Sequence, residues 1–298
     1  MEPALPMATE ERLGAPNDRQ ADDSPRRPVV LIEAERRWAA LDFKALWQYR
    51  ELFYFLMWRD VKVRYKQTLF GILWAILQPL VTMLIFTYFF GKLARVPAEG
   101  VPYPVFFYAG LVIWGFFSNS VMMAANSPLG NTNLITKVYF PRLIIPGATV
   151  GAGLLDFAIA AALLVGMLLF YRFPLTAADL LLLPLVVLIT LLAFAVGVLL
   201  AALNVRYRDV RYTIPFLIQL WFYVTPIAYP AGLITGPWRV ALALNPLTGI
   251  VEGCRWALIG TGALDGLALA LSIGISLPVL VAGLYHFRRV ERRFADLV

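Results

Sequence analysis

The sequence has few of the residues that carry most enzyme chemistry. It contains one histidine, His286, and one cysteine, Cys254. A single cysteine excludes an intramolecular disulfide, and one histidine at the end of an apolar stretch argues against histidine-based catalysis. No Gly-x-x-x-x-Gly-Lys-Ser/Thr motif occurs, so no P-loop for nucleotide phosphates is present. We therefore expect no catalytic, cofactor or metal site on this chain.

Charge is also scarce, because only 15% of the 298 residues are charged whereas 60% are hydrophobic. A soluble domain usually has about 25% charged residues. Apolar stretches instead reach the roughly 20 residues that a membrane-spanning helix needs. We predict an all-α polytopic membrane protein with six transmembrane helices. Their predicted bounds are residues 69–90, 105–125, 143–170, 180–203, 212–229 and 266–286.

The basic residues are distributed unevenly between the two sets of connections that these spans create. With six spans, 21 of the 26 Lys and Arg residues fall on one side and 5 on the other. Cytoplasmic connections keep Lys and Arg, so both termini are predicted to be cytoplasmic. The net charge of +7 thus faces the headgroups of the membrane, and we expect no nucleic-acid partner.

Residues 230–265 are apolar but contain Pro, Gly and charged residues that interrupt a seventh span. A seventh full span would also move the four C-terminal Arg residues outside, against the charge bias. We predict a re-entrant hairpin of two short helices between spans five and six. Irregular backbone at membrane depth must be buried in protein or line a water-filled cavity.

The chain before the first span divides into two parts. Residues 1–41 are rich in Glu, Asp, Arg and Pro and predict a disordered cytoplasmic tail of undetermined role. Residues 42–68 have apolar positions at helical spacing and predict an amphipathic interface helix. Residues 69–298 then form the transmembrane domain.

Six segments together resemble the type-two permease family, the membrane subunits of ATP-binding-cassette exporters of bacterial surface polysaccharides such as O-antigen. They are 58–68 (WRDVKVRYKQT), 71–79 (GILWAILQP), 136–142 (TKVYFPR), 204–209 (NVRYRD), 223–230 (YVTPIAYP) and 245–253 (NPLTGIVEG). The ordered set is specific, although each segment alone is weak. The resemblance covers roughly residues 40–290.

The resemblance implies a half-transporter in the bacterial inner membrane. Two copies of the chain form the conduit for a lipid-linked polysaccharide, surrounded by membrane lipid, and two copies of a separate nucleotide-binding ATPase bind ATP and Mg and power transport. The connection 132–142 then corresponds to a coupling helix that docks on that ATPase. Its predicted contact residues are Leu134, Ile135, Lys137, Tyr139, Phe140 and Arg142.

Polar and aromatic residues within the apolar stretches are further candidates. Asp156 lies in mid-span, and Glu252 and Arg255 are spaced to pair on one helix face. A structural role and a transport role remain open for all three. Aromatic rings at helical spacing suit the faces of sugar rings, although packing and interfacial belts use the same residues. The predicted substrate path comprises Phe107, Trp114, Phe117, Phe216, Gln219 and Tyr223.

Other functions remain to be weighed. An exporter of teichoic acid or of a drug fits the same family. An intramembrane glycosyltransferase-type enzyme or protease needs paired acids, or Ser with His, facing a cavity. One mid-span acid, Asp156, and one histidine at the end of a span argue against this alternative. An ion-coupled transporter is expected to have internal repeats with paired broken helices. The sequence does not name the glycan, nor does it tell whether the ATPase has a glycan-recognition module.

Overall fold

The computed structural model describes residues 43–66, 71–174, 176–207, 209–260, 264–291 and 294. Within these ranges the chain forms helices and turns but no strand, which confirms the all-α prediction. The α-helices are α1 (Phe43–Gln48), α2 (Arg50–Lys66), α3 (Gly71–Phe86), α4 (Tyr103–Gly130), α5 (Thr132–Lys137), α6 (Ile144–Phe170), α7 (Leu182–Arg206), α8 (Val210–Val224), α9 (Pro237–Ala243), α10 (Pro246–Ile259) and α11 (Gly266–Glu291). A π-helix (Thr87–Leu93) continues α3, and 3-10 helices occur at Ala177–Leu181 and Ala231–Leu233.

Five helical segments of the described chain are long and apolar enough to cross a membrane. They are Leu73–Leu93, Tyr103–Gly130, Ile144–Phe170, Ala177–Arg206 and Gly266–Glu291, with lengths from 21 to 30 residues. Five of the six predicted spans therefore correspond to such helices. The remaining one corresponds to α8, whose 15 residues fall short of the roughly 20 that a bilayer requires.

Helix α4 is the centre of the fold. It packs against both α6 and α7, and α11 packs against α7. Close approach depends on glycine: a Cβ at Gly197 would meet the Cβ of Ala124 at 2.7 Å, and one at Gly283 would meet the carbonyl oxygen of Ala195 at 2.6 Å. Small residues permit such packing where the surrounding lipid is as apolar as the helices themselves.

Helix α8 runs along α4 in the opposite direction. At the Gly130 end of α4, the Asn204 side-chain amide donates to the carbonyl of Ala125 at 2.9 Å. At the Tyr103 end, the Tyr103 hydroxyl donates to the carbonyl of Ala228 at 2.8 Å. The chain between residues 204 and 228 thus passes from one end of α4 to the other. We use the terms Gly130 end and Tyr103 end for the two ends of the molecule.

Helices α9 and α10 form a hairpin that turns at Asn245. The Asn245 side chain caps α10 by accepting from the Leu247 amide at 3.1 Å, and its amide donates to Thr225 of the α8 C-cap at 3.0 Å. An ion pair of 3.2 Å between Arg239 and Asp265 joins the start of α9 to the start of α11. The outer ends of the hairpin therefore lie together while its turn packs against the end of α8.

The helices before the first span pack on α6. Phe53 and Met57 of α2 lie over Gly147 and Gly151, where a larger residue would contact their side chains. The exposed face of α2 is also apolar, with Tyr54, Phe55 and Trp58 at 61%, 64% and 45% exposure. Helix α2 thus has one apolar face on α6 and another available to lipid or protein. The predicted tail at residues 1–41 lies outside the described residues.

Candidate functional site

A cavity of about 770 Å³ lies between α3 and α6 over one face of α4. We call it the α3 cavity. It is lined by residues 64–65 of α2, 74–82 of α3, 111–123 of α4, 149–160 of α6 and Phe222 of α8, with positions in each range that face it. Small-molecule sites have volumes of about 300–1,000 Å³, so the α3 cavity has the size of a ligand site.

The α3 cavity holds a charged pair. The Arg64 guanidinium forms an ion pair with Asp156, and the Tyr65 hydroxyl donates to the same carboxylate. Both ion-pair partners are about three-quarters buried, with side-chain exposures of 23% and 24%. Asp156, singled out by its position in mid-span, thus has a partner on α2 and also lines a cavity. Its structural and transport roles are compatible.

Uncharged polar groups occupy the middle of the α3 cavity. Gln78 follows Trp74 by four residues on α3, so both side chains lie on the same face and line the cavity. Asn119 and Ser120 of α4 line the opposite wall. The Ser120 hydroxyl is buried and has no hydrogen-bond partner among the described residues. Buried polar groups are rarely left unpaired, so this hydroxyl indicates an additional partner.

The structure divides the predicted substrate path into two groups. Phe107, Trp114 and Phe117 of α4 are buried inside the protomer, and each packs on an aromatic ring of α3 or α8. These contacts are Phe107 with Phe86 at 4.6 Å, Trp114 with Phe222 at 5.5 Å and Phe117 with Trp221 at 5.1 Å between ring centroids. The expectation that these three rings form an open face is wrong, because their α4 face is the packing face. Trp114 alone among them also lines the α3 cavity.

The other group lies on the outer face of α8. Phe216 and Tyr223 are 59% and 63% exposed, and Gln219 between them is exposed as well. The opposite face of α8 is buried through Ile214 and Ile218. The three outer residues therefore share a surface that contacts lipid or another chain, and their role in a conduit stays a prediction.

Arg255 and Glu252 form the pair that their spacing predicted, at 3.0 Å. Arg255 is only 1% exposed and joins three segments. Its guanidinium donates to the carbonyls of Phe106 on α4 at 3.2 Å, Pro226 at 2.7 Å and Ile227 at 2.5 Å. It also lies 3.8 Å from the centre of the Phe106 ring. Arg255 therefore fastens α10 to α4 and to the chain that follows α8.

The predicted coupling segment contains both exposed and buried residues. Tyr139 is 88% exposed and Lys137 is exposed, so both are available to a partner. Ile135 and Phe140 are 3% and 4% exposed, whereas Leu134 is half-buried. The expectation that Ile135 and Phe140 are surface anchors is wrong, because Ile135 on α5 and Phe140 after α5 both pack into the protomer. The exposed part of the segment centres on Tyr139.

Arg142, the last residue of this segment, is held by the end of α11. Its backbone amide donates to the Glu291 carboxylate at 2.9 Å, and its guanidinium donates to the Glu291 backbone carbonyl. The guanidinium also lies 5.7 Å from the ring of Phe294, which packs on Phe287 with centroids 5.1 Å apart. Arg142 is thus a link between the coupling segment and α11 rather than a free surface cation.

The chain was compared with known proteins. Residues 51–259 match the family model described as ABC-2 type transporter, which spans α2 to α10. The chain belongs to the ABC-2 type transporter family. This result confirms the resemblance drawn from the six segments, all of which lie inside the matched region.

Curated relatives of this ABC-2 chain are similar over most of their length. It is 31% identical over 260 residues to the O-antigen export system permease protein RfbA of Myxococcus xanthus, covering 86% of this chain and 98% of that protein. An RfbA protein of Klebsiella pneumoniae is 28% identical over 80% of this chain and 92% of its own. The polysialic acid transport protein KpsM of Escherichia coli is 25% identical over 79% and 92%, respectively.

Sequence reasoning missed most of the α3 cavity in this ABC-2 chain. Tyr65, Gln78, Asn119 and Ser120 were not singled out, although the last three are polar residues in apolar stretches. The four-residue spacing of Trp74 and Gln78 was a usable signal for a shared helix face. No sequence signal placed α2 beside α6, and so none paired Tyr65 with the α6 carboxylate.

Proposed function

We propose that this chain is the transmembrane half of an ABC exporter that moves a lipid-linked, O-antigen-like polysaccharide from the cytoplasm across the inner membrane. The observation that carries the proposal is end-to-end similarity, over 98% of its length, to a protein named as an O-antigen export permease. The KpsM relatives are also named for polysaccharide transport. One fold can carry many functions, but similarity over most of the length of several proteins named as exporters favours export of a polysaccharide over the other functions.

The proposed topology has six crossings with the Gly130 end in the cytoplasm. The helices α3, α4, α6, α7 and α11 provide five crossings, and α8 with the residues around it provides the sixth. The path of residues 204–228 along α4 supports this. The 22 helical steps from residue 103 to residue 125 extend about 33 Å, close to the hydrocarbon thickness. The charge bias supports the orientation, because the Gly130 end holds the more basic connections.

In this topology the α9–α10 hairpin is re-entrant from the outer side. Three contacts support it: the Arg239–Asp265 pair brings the outer ends of the hairpin together, Arg255 bonds to the chain after α8, and Asn245 at the turn reaches Thr225. The Pro226 and Ile227 carbonyls, which accept hydrogen bonds from Arg255, belong to non-helical backbone. Such backbone is tolerated at membrane depth when its polar groups are satisfied inside the protein.

The family resemblance implies two kinds of protein partner, a second copy of this chain and an ATPase. Two copies of the chain form the conduit, and the exposed face of Phe216, Gln219 and Tyr223 on α8 contributes to it. Two copies of a nucleotide-binding ATPase dock at the Gly130 end, where Tyr139 is the exposed aromatic of the coupling segment. ATP and Mg are bound by that ATPase, because this chain has no P-loop.

Deletion of the gene tests the function directly. We expect the deletion strain to lose one surface polysaccharide and to accumulate the corresponding lipid-linked polymer in the cytoplasm, and complementation to restore export. Accumulation of a teichoic-acid-type polymer would retain the exporter function but identify a different substrate of the same family. Normal surface polymer with drug sensitivity instead would contradict polysaccharide export.

Topology has a separate test. In a Cys254→Ser background, single cysteines are placed after Ile259, near Tyr139 and at the C terminus. A membrane-impermeant thiol reagent added to intact spheroplasts is expected to label only the first. Labelling of the C terminus from outside would contradict an even number of crossings.

A further inference from the structure

The α3 cavity is electrically neutral as far as the described residues show. Arg64 and Asp156 are the charged side chains among the described residues that line it, and they pair with each other. An anionic ligand would be attracted by Arg64 but repelled by the carboxylate beside it. A cationic ligand meets the reverse situation. The charge balance therefore favours a neutral ligand.

The uncharged polar groups of the cavity offer both donors and acceptors. The side-chain amides of Gln78 and Asn119 each have an NH₂ donor and a carbonyl acceptor, and Ser120 has a hydroxyl that serves as both. The Ser120 side chain is 2% exposed with no partner among the described residues. Gly153 leaves the space beside it, because a Cβ there would meet the Ser120 oxygen at 2.6 Å. Such a mixed set matches a ligand with several hydroxyl groups.

Aromatic walls accompany these polar groups. Trp74 of α3 is 58% exposed although it lines the cavity, and Trp114 lines it from α4. The faces of aromatic rings pack well against the C–H faces of sugar rings, while the ring hydroxyls turn to amides and carboxylates. A hydroxyl-rich ligand with apolar faces is a sugar, whereas a simple alkyl lipid would leave the amides and Ser120 unsatisfied.

The polar groups of the cavity lie near one another. Gly153 lies against Ser120, and Asp156 is about one helical turn further along α6, so the Arg64–Asp156 pair is close to the amides. Ala160 and Phe222 lie further toward the Tyr103 end, where the Tyr108 hydroxyl donates to the Ala160 carbonyl. We propose that the α3 cavity of each protomer binds a neutral sugar unit of the exported glycan. This inference rests on the proposed function and adds a site within the protomer.

Two glycines provide a matched pair of variants. Gly115 lines the α3 cavity, and a Cβ added there has no atom within 4 Å. Gly166 of α6 has the same open space but lies outside the cavity lining. Gly115→Leu is expected to fill the cavity without a clash, and Gly166→Leu adds the same side chain to a spanning helix elsewhere. Equal elution profiles and melting temperatures establish that both variants fold.

Binding is measured on the full chain in phosphatidylcholine nanodiscs with an alkyl glucoside that carries a photoactivatable diazirine. Mass spectrometry maps the labelled residues, which we expect on α3 and α4 within the cavity. Gly115→Leu is expected to remove this labelling and Gly166→Leu to leave it unchanged. Asn119→Leu is expected to weaken binding about two- to tenfold, the loss that corresponds to one hydrogen bond.

Competition identifies the ligand chemistry. Unlabelled maltoside is expected to reduce labelling of the cavity, and phosphatidylglycerol is expected to have little effect. Stronger competition by phosphatidylglycerol would overturn the sugar assignment in favour of an anionic lipid. Labelling that is absent, or equal in Gly115→Leu and the wild type, would leave a water-filled or lipid-filled space and overturn the proposal.

Export in cells separates this inference from the proposed function. If the wild type restores surface polysaccharide to the deletion strain and Gly115→Leu does not, while Gly166→Leu does, the cavity is required for export. Full export by Gly115→Leu refutes the cavity proposal and leaves the exporter function intact. Failure of the wild type itself to restore a polysaccharide refutes the proposed function.

Discussion

Substitution of Gly110 tests whether Arg255 holds the hairpin as the structure indicates. A Cβ at Gly110 would lie 2.6 Å from the Arg255 Nη2 atom and 3.3 Å from Cζ. Gly110→Ala therefore pushes the guanidinium away from its carbonyl acceptors. Overpacking of this kind destabilises by about 1–3 kcal/mol. Arg255→Ala removes the guanidinium altogether and leaves the Glu252 carboxylate without its buried partner, a loss of about 3–5 kcal/mol.

The decisive measurement is the free energy of unfolding of the double variant. Without the guanidinium, the alanine at position 110 meets no clash from Arg255, and alanine in a helix is favoured over glycine by about 0.5–1 kcal/mol. Gly110→Ala is thus expected to destabilise the wild type but to be neutral or slightly stabilising in the Arg255→Ala background. The coupling between the two sites is then about 1–4 kcal/mol, above the ~0.5 kcal/mol error of additivity.

Equilibrium unfolding in mixed micelles, titrated with sodium dodecyl sulfate and followed by circular dichroism, supplies the free energies. Gly115→Ala on the same helix is the control, because its added Cβ has no atom within 4 Å. It is expected to have the same small effect in both backgrounds. If Gly110→Ala destabilises both backgrounds equally, its effect comes from other neighbours, and the assignment of Arg255 as the fastening residue is refuted.

Three further predictions concern the segment 132–142 and the start of α11. Tyr139→Asp is expected to weaken co-purification with the ATPase and to leave the melting temperature unchanged. Phe140→Asp is expected to lower the melting temperature, because Phe140 is 4% exposed. Equal effects of the two variants would contradict the assignment of Tyr139 to the surface and Phe140 to the core. Glu291→Ala removes the charged acceptor of the Arg142 amide, a hydrogen bond of about 1.5 kcal/mol, so the hydrogen-exchange rate of that amide is expected to rise about tenfold. Glu291→Gln retains an acceptor, and the amide is expected to exchange more slowly than in Glu291→Ala. An unchanged exchange rate in both variants would contradict the link between Arg142 and Glu291. Asp265→Ala is expected to destabilise α11 by about 0.5–2 kcal/mol through loss of its N-terminal cap. The hydrogen bond from the Ala268 amide is the largest cause that holds the pKa of Asp265 below its usual range. The stability that this carboxylate contributes is therefore present above the ordinary Asp pKa of about 3.9 and is lost as the pH falls through the lowered pKa. A difference in stability between wild type and Asp265→Ala that persists in strong acid would contradict this assignment.

Several features of the fold were predictable because they depend on local sequence. Helix α10 begins at an Asn-Pro pair, which is a standard start signal, and the Glu252–Arg255 spacing places both side chains on one face. Length and hydropathy identified the spans of the five long helices. The family was also recognisable from short segments, since these retain their order along the chain.

The candidate site was less predictable because it depends on neighbours that are distant in sequence. Periodicity identified Phe107, Trp114 and Phe117 as one face of α4, but a shared face is equally a packing face, and α3 and α8 cover it. The same limit applied to Phe140, whose apolar character suits either a partner surface or the protomer core.

The sequence by itself determined the all-helical fold, the charge bias and the membership of an exporter family, because these follow from composition, period and ordered motifs. Only the tertiary structure decided which polar groups meet. Asp156 pairs with Arg64 across 92 positions of chain, and Arg255 bonds to Phe106 across 149. Both contacts depend on how helices pack against one another. The period of the side chains along a helix shows which residues share a face, but it does not show which other helix packs on that face.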